Sequence, residues 1–454
     1  MAELVPFRAL RYQPAKVPSL APVVTPPYDV ITPEQQEAFY QAHPYNIIRI
    51  ELGKRLPTDN ERDNCYTRAA GYLKSWIAEG VMGRDQDPAF YLCETTFVDP
   101  TGTTHTRRGF FGLLKVEDFE AGVVLPHERT FTSHKRDRFQ LTVHTSANVS
   151  PIFALYPDGD NDVWQVLASA REPEPIADFV DPLGLHQRMY MVRDPQACRK
   201  VARLMATKHI FIADGHHRYE TAIAYRDYMR ARHPHAPEDA PFNYVLVYLC
   251  SMSDPGLTIL ACHRLLPHLN GFSSSDFLAK AREFFDIHPM DPTGDPLRDS
   301  QLLTEALARH GNGAPTIALA SADTQRLFML KLKPGVMDRE EGEDVQGPLK
   351  ELDVVVLTRV VLERILGLDN EARDKEHTIR YMADTPKVLT QVRRGQAAVA
   401  FLLNPTRVEQ VRAVAEARLI MPRKATYFYP KVLTGLVLNP IDPSERLGRW
   451  ADGG

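Results

Sequence analysis

The sequence predicts an α/β (α+β) fold. From Gln187 onward, short apolar runs of strand length alternate with segments whose apolar residues recur at helical spacing. The longest apolar stretches, around Tyr244–Leu249 and Ala397–Leu403, have the length of buried strands. A chain of 454 residues also exceeds what one core usually supports, so about two domains are expected, 1–269 and 270–454.

Up to about Pro57 the chain is rich in proline, which fixes φ and removes a donor. Turns are expected there, with short strands at Val23–Thr25 and at Asn46–Leu52, whose NIIRIEL alternates. Thr32-Pro33-Glu34 reads as N-cap, N1 proline and acidic first turn of a helix through Tyr40. A second helix is predicted over Glu61–Glu79, with Ala69, Leu73 and Trp76 at helical spacing and a stop at Gly80. Strands at Ala89–Phe97 and Arg107–Val116 flank the Asp99-Pro100-Thr101-Gly102 turn. HQRMYMVRD, from His186, is a short strand, and Asp194-Pro195 caps a helix through Thr207. His209–Ala213 is a compact buried strand, followed by a helix from Arg218 to Arg232. Tyr244–Leu249 leads through a turn into LTILACHRLL, Leu257–Leu266, and a linker is expected near Gly335–Gly347.

Composition narrows the class. The chain is 44% hydrophobic and 25% charged, which is globular. Lys plus Arg is 54 and Asp plus Glu 58, so the net charge of −4 argues against a nucleic-acid partner. The first residues lack a basic stretch followed by an apolar one, and no run approaches a membrane span. Five cysteines without a C-x-x-C pair fit free, buried thiols in a reducing cytoplasm. Walker, Rossmann, nucleophile-elbow and zincin patterns are absent.

The strongest local signal is Asp214-Gly215-His216-His217-Arg218, where an apolar strand runs into a polar turn that opens a helix. Backbone N–H groups at a helix start attract anions, glycine admits a ligand close to the backbone, and a carboxylate could hold a metal ion or take a proton. The alternative is a satisfied corner in which Asp214 caps the helix. A second signal runs from Pro126 to Arg138. It interleaves His127, Arg129 and Lys135 with hydroxyls, a mix suited to phosphate oxygens, and the alternative is a solvated basic loop. A third, Met421–Lys431, combines Arg423, Lys424 and Lys431 with three aromatics. Thr25-Pro26-Pro27-Tyr28-Asp29 sets a phenol and an acid on a stiff turn after Arg8 and Arg11.

PFRALRY, TPPYDVI, HERTF, ADGHHRYETA and MPRKATYFYPK, in this order, resemble the bacterial and archaeal family called domain of unknown function 1015. The resemblance spans nearly the whole chain, with Ala425 and Cys262 where serine and threonine are usual. The block around Asp214 also resembles the ParB/sulfiredoxin-like core, which implies a nucleotide- or phosphate-binding region with additional α/β domain(s). Some proteins of that fold phosphorylate free L-serine and carry the same Asp-Gly-His-His-Arg turn.

Residues and resemblance meet at phosphoryl transfer to the L-serine hydroxyl, giving O-phospho-L-serine, with Mg²⁺ and with pyrophosphate or ADP/ATP as donor. Gly215, His216, His217 and Arg218 would hold the donor, with His127, Arg129, Lys135 and Lys424 around it. Asp214 leads as base and metal ligand, with Glu128 and Asp29 behind. Arg8, Arg11 or Lys424 would meet the serine carboxylate, and Tyr28 lies near the substrate. A homo-oligomer is left open. The alternatives are a nucleotide-dependent or DNA-associated switch of the ParB kind, and a metal-dependent phosphohydrolase using Asp214, His216, His217 and Glu128.

Overall fold

The computed structural model describes residues 2–100, 102–128, 132–269, 271–324, 326–339, 345–369, 372–373 and 378–451, without the side chains of 132–134. The chain forms two compact units, 1–126 with 130–257 and 430–454, and 127–129 with 258–429. The division thus falls at 257/258 where 269/270 was expected, and the last 25 residues return to the first unit.

The first unit is built on a mixed nine-stranded sheet. Its strands are β1 (Leu4–Val5), β2 (Phe90–Val98), β3 (Thr104–Lys115), β4 (Val124–Leu125), β5 (Ile152–Tyr156), β6 (Ala177–Val180), β7 (His186–Val192), β8 (Ile210–Asp214) and β9 (Tyr244–Ser251). They lie in the order β4-β8-β5-β9-β3-β2-β7-β6, with β1 also paired to β3. The β4–β8 and β5–β9 pairs are parallel and the rest antiparallel. Every residue of central β9 is buried, as its unbroken apolar run requires.

Among the described residues six longer helices belong to this unit: α1 (Pro33–Ala42), α2 (Cys65–Ala78), α3 (Thr132–Thr145), α4 (Asp162–Ala170), α5 (Pro195–Ala206) and α6 (His216–Arg232). Their starts follow local chemistry. Thr32 and Gln35 close a reciprocal capping box on α1, and Asp194 accepts from the Ala197 amide at the start of α5. One face of the sheet buries Ile152, Ala154, Ile210, Ile212, Val247 and Leu249 beneath α4, α5 and Tyr219 of α6. Removing one such branched side chain typically costs about 2–5 kcal/mol.

The second unit has a six-stranded antiparallel sheet of β10 (His263–Leu266), β11 (Phe285–Met290), β12 (Thr316–Ser321), β13 (Leu327–Leu332), β14 (Arg380–Met382) and β15 (Val399–Leu403). Their order is β11-β13-β12-β15-β10-β14. Helices α7 (Pro296–Gly311) and α8 (Thr385–Arg393) cover it through Leu303, Leu307, Val388 and Val392.

Three local expectations differ. Ile48–Glu51 is a helical turn, because the buried Asn46 side chain accepts from the Ile48 amide and bends the chain. Val23–Thr25 contributes a single bridge, Thr25 to Thr434. Leu257–Leu266 splits into Thr258–Leu260, paired with Tyr427–Tyr429, and β10, which enters the six-stranded sheet. All five cysteines are free and buried. Among the described residues, no helix is long and apolar enough to cross a membrane.

Candidate functional site

The chemistry of the first unit concentrates where β8 turns into α6. Phe211 and Ile212 oppose Leu155 and Ala154 of β5, but Asp214 opposes Phe153, so Ala213 is an extra residue in the ladder. Such a bulge switches the alternation. Ile210 and Ile212 stay in the apolar core, while Asp214 leaves that face and stands beside Phe153. Gly215 then takes φ 96° and ψ 29° as N-cap of α6. A Cβ there would meet the Arg218 guanidinium at 2.8–3.0 Å, so glycine permits both the left-handed turn and the guanidinium folded over it.

Arg218 Nη2 donates to Asp214 Oδ2 at 2.6 Å, and its Nη1 donates to the Pro151 carbonyl. Lys431 Nζ donates to Asp214 Oδ1 at 2.5 Å. One carboxylate is therefore flanked by two cations whose side chains are only 9% and 12% exposed. The charge here sums to positive, at the positive end of a 17-residue helix. An anion is the ligand this corner favours.

His216 departs from expectation. Burial pushes its imidazole down to about 3, and His217, Lys431 and Arg218 add to that against the opposing pull of Asp214. It is a neutral hydrogen-bonding group near pH 7, so the corner's positive charge comes from Arg218 and Lys431.

A second charged group shares a cavity wall with Arg218. Arg138 Nη1 donates to the Glu51 carbonyl at 2.9 Å and lies 3.5 Å from Glu51 Oε1. Its Nη2 donates to Asp137 at 2.6 Å, and its Cζ sits 4.1 Å from the Tyr28 ring centroid. Ser150 Oγ donates to Glu51 Oε1 at 2.9 Å. Burial raises the Tyr28 phenol well above its ordinary range, and Arg138 opposes that. On the Phe153 face lies Arg107, 1% exposed, its guanidinium 4.9 Å from the Phe153 centroid and its Nη1 donating to the Pro430 carbonyl.

The expected site residues divide accordingly. Asp214, Gly215, His216, His217 and Arg218 form the corner, and Tyr28 lies under Arg138. Lys135 on α3 is paired with Glu220 of α6 at 2.6 Å. Asp29 is exposed in the turn Tyr28–Val30. Arg8 pairs with Glu445 at 2.6 Å, a carboxylate it shares with Arg84, and Arg11 with Asp85 at 2.6 Å, so each of these cations already has a carboxylate partner. His127, Glu128 and Lys424 belong to the second unit, where Glu128 Oε1 accepts from the Lys424 amide at 3.1 Å and His127 Nε2 lies 3.1 Å from Thr426 Oγ1. Arg129 lies outside the described residues.

Among the described residues Mg²⁺ finds no prepared cage. Both Asp214 oxygens already hold cations, and among the described residues no group of three His, Cys, Asp or Glu side chains could take a metal ion. The four-ligand cluster of the hydrolase alternative does not form among them.

A family model for proteins of unknown function, DUF1015, matches residues 4–355. The chain belongs to that family. No curated protein matches this DUF1015 member. Among solved structures it is similar to a free serine kinase in complex with AMP, with 9% identity and a TM-score of 0.34 over 70% of this chain and 86% of that one. SbnI from Staphylococcus aureus, with a C-terminal truncation, gives 11% and 0.34 over 72% and 86%. A conserved hypothetical protein from Pyrococcus furiosus gives 10% and 0.33 over 71% and 92%. These likenesses are too distant to assign chemistry to this chain.

Proposed function

We propose that this DUF1015 protein is a small-molecule kinase that transfers a phosphoryl group to the hydroxyl of free L-serine. The observation that carries the reading is the corner at Asp214. A left-handed glycine starts a helix beside Arg218 and Lys431, both nearly buried and both oriented by a single carboxylate. Phosphoryl transfer needs its donor's oxygens neutralised and held in line with the acceptor, and positioned cations do both. The Asp-Gly-His-His-Arg turn resembles that of kinases acting on free L-serine, which points to the acceptor.

In this arrangement Arg218 and Lys431 bind the donor, and Asp214 positions them. That is a different role from the base and metal ligand expected of Asp214. Mg²⁺ would arrive on the donor's phosphates and neutralise charge there. His216, neutral, offers a hydrogen bond rather than a charge.

The test is a donor screen with the full-length protein, Mg²⁺ and L-serine, read as phosphoserine by mass spectrometry. ATP, ADP and pyrophosphate are offered separately. Phosphoserine with one donor is expected, and its absence with all three sinks the reading. Arg218→Ala should then raise the donor KM at least about tenfold, since it removes a charge-assisted contact.

A further inference from the structure

Arg107 of β3 is buried, and among the described residues no carboxylate forms an ion pair with it. Its guanidinium lies 4.9 Å from the Phe153 ring centroid and 5.2 Å from that of Tyr248, and its Nε has no hydrogen-bond partner. Asp254 is within electrostatic reach, but its Oδ1 accepts from the amides of Arg108 at 3.3 Å and Gly256 at 3.0 Å. Gly109, two residues along the same face of β3, admits the Tyr248 ring, which a Cβ there would strike. Packing alone does not account for a guanidinium in this place. A buried cation without a partner charge costs stability, and an apolar side chain of similar volume would fill the space without that cost.

The polar contact that Arg107 does make leads to the corner. Its Nη1 donates to the carbonyl of Pro430, where the chain returns to the first unit. Residues 430–433 lie in no strand, ahead of the bridge from Thr434 to Thr25. Lys431 comes next in the chain, and its Nζ reaches Asp214 Oδ1 at 2.5 Å. Asp214 in turn opposes Phe153, the ring against which Arg107 lies. We infer that Arg107 is a positioning residue of the anion corner: by holding the Pro430 carbonyl it fixes where Lys431 stands, and so how tightly the corner binds a phosphate donor. The inference rests on the reading of this corner as the donor site and deepens it. Arg107 itself touches no ligand and acts through Lys431.

The experiment titrates full-length wild type, Arg107→Met, Lys431→Ala and the double variant by calorimetry with ATP, ADP and inorganic pyrophosphate in turn, each with Mg²⁺. Arg107→Met removes the hydrogen bond to Pro430 and leaves an apolar chain in the space, so its urea midpoint should hold or rise. The Kd of the anion that binds should weaken about tenfold in each single variant. If Arg107 acts through Lys431, the double variant stays within about twofold of Lys431→Ala, where independent contributions would multiply to about a hundredfold. Where phosphoserine forms, the donor KM should follow the same pattern, with kcat at saturating donor within about threefold of wild type. Should Arg107→Met not fold, Arg107→Gln, too short to reach Pro430, takes its place in the cycle. An Arg107→Met protein that binds within about threefold of wild type, or losses that multiply in the double variant, overturns the inference alone. A wild-type protein that binds none of the three anions overturns the donor-site reading and this inference together. The expected cycle without any phosphoserine supports the inference and overturns the kinase reading.

Discussion

Each of the two units buries a carboxylate against an arginine, and the two are treated differently. In the second unit Asp299 has no exposed surface, and both of its oxygens are served. Oδ1 accepts from the Thr293 amide at 2.6 Å and its hydroxyl at 2.7 Å, while Oδ2 accepts from Arg393 and from the Gly294 amide at 3.3 Å. Three of these donors lie within six residues, in the turn that enters α7. Burial alone would raise the Asp299 carboxyl, yet the Thr293 and Arg393 hydrogen bonds hold it below the ordinary aspartate range. In the first unit Glu51 moves the other way, because burial raises its carboxyl, and Arg138, shared with Asp137, offsets that only in part together with Arg218, the Ser150 hydroxyl and the Tyr28 amide. Asp214 is bonded on both sides, but by cations four and 217 residues away that carry more charge than it neutralises. Asp299 consumes its neighbours' bonding capacity to fix a helix start. The first-unit carboxylates leave charge for something else to use.

The largest effect expected from this contrast is on stability at Asp299. Asp299→Ala strands Arg393 and three local donors, and breaking a buried pair costs about 3–5 kcal/mol. The lower end applies, because Arg393 is 32% exposed and can rehydrate. Urea titration should show that loss, while phosphoserine formation per folded molecule stays at the wild-type value. A change in turnover beyond threefold at constant folded fraction would erase the distinction between the two units.

A smaller effect should appear in the pH dependence of unfolding, with opposite signs. Asp299 is depressed, so its stabilisation is present above the unfolded value of about 3.9 and is lost as pH falls through the lower folded value. Glu51 is raised, so its contribution is greatest below the unfolded value of about 4.3 and declines as pH rises through the folded one. Glu51→Gln should therefore flatten the stability curve above about pH 4, and Asp299→Asn should flatten it below that point. Urea midpoints measured against pH for both variants give the slopes. Parallel slopes would mean that the two carboxylates sit in equivalent environments.

Much of this is legible in the sequence. The corner announces itself locally, since five consecutive residues supply the strand end, the left-handed glycine and the arginine that folds back. Helix caps at Thr32 and Asp194 are legible for the same reason, their partners lying three residues away. What sequence alone could not give is distance in space. Lys431 was visible as part of a basic aromatic run, but nothing local says that it meets Asp214 across 217 residues. Arg138 stood at the end of a basic loop whose pairing with Glu51 depends on chain 87 residues earlier. Glu51 itself was hidden by alternation. NIIRIEL reads as a strand until Asn46 turns it into a helix, a capping effect that a period-two pattern masks. The ladder bulge at Ala213 is likewise invisible in an unbroken apolar run, although it decides which face Asp214 occupies.

Lys135 offers the smallest effect and a fine test of the contrast. It was expected among the donor's cations, and the structure places it on α3 in an ion pair with Glu220, one turn along α6 from the corner. Their side chains are 36% and 25% exposed, so water screens the pair and its structural worth is about 0.2–1 kcal/mol. Lys135→Ala should accordingly shift the urea midpoint by less than about 1 kcal/mol equivalent. If the charges of the first unit serve the donor, the same substitution raises the donor KM about three- to tenfold, a cost of roughly 0.7–1.4 kcal/mol in binding that shrinks as salt screens it. Function would then lose at least as much as stability, the reverse of Asp299→Ala. A donor KM unchanged by Lys135→Ala at low salt assigns the lysine to the α3–α6 contact and leaves Arg218 and Lys431 as the cations that hold the anion.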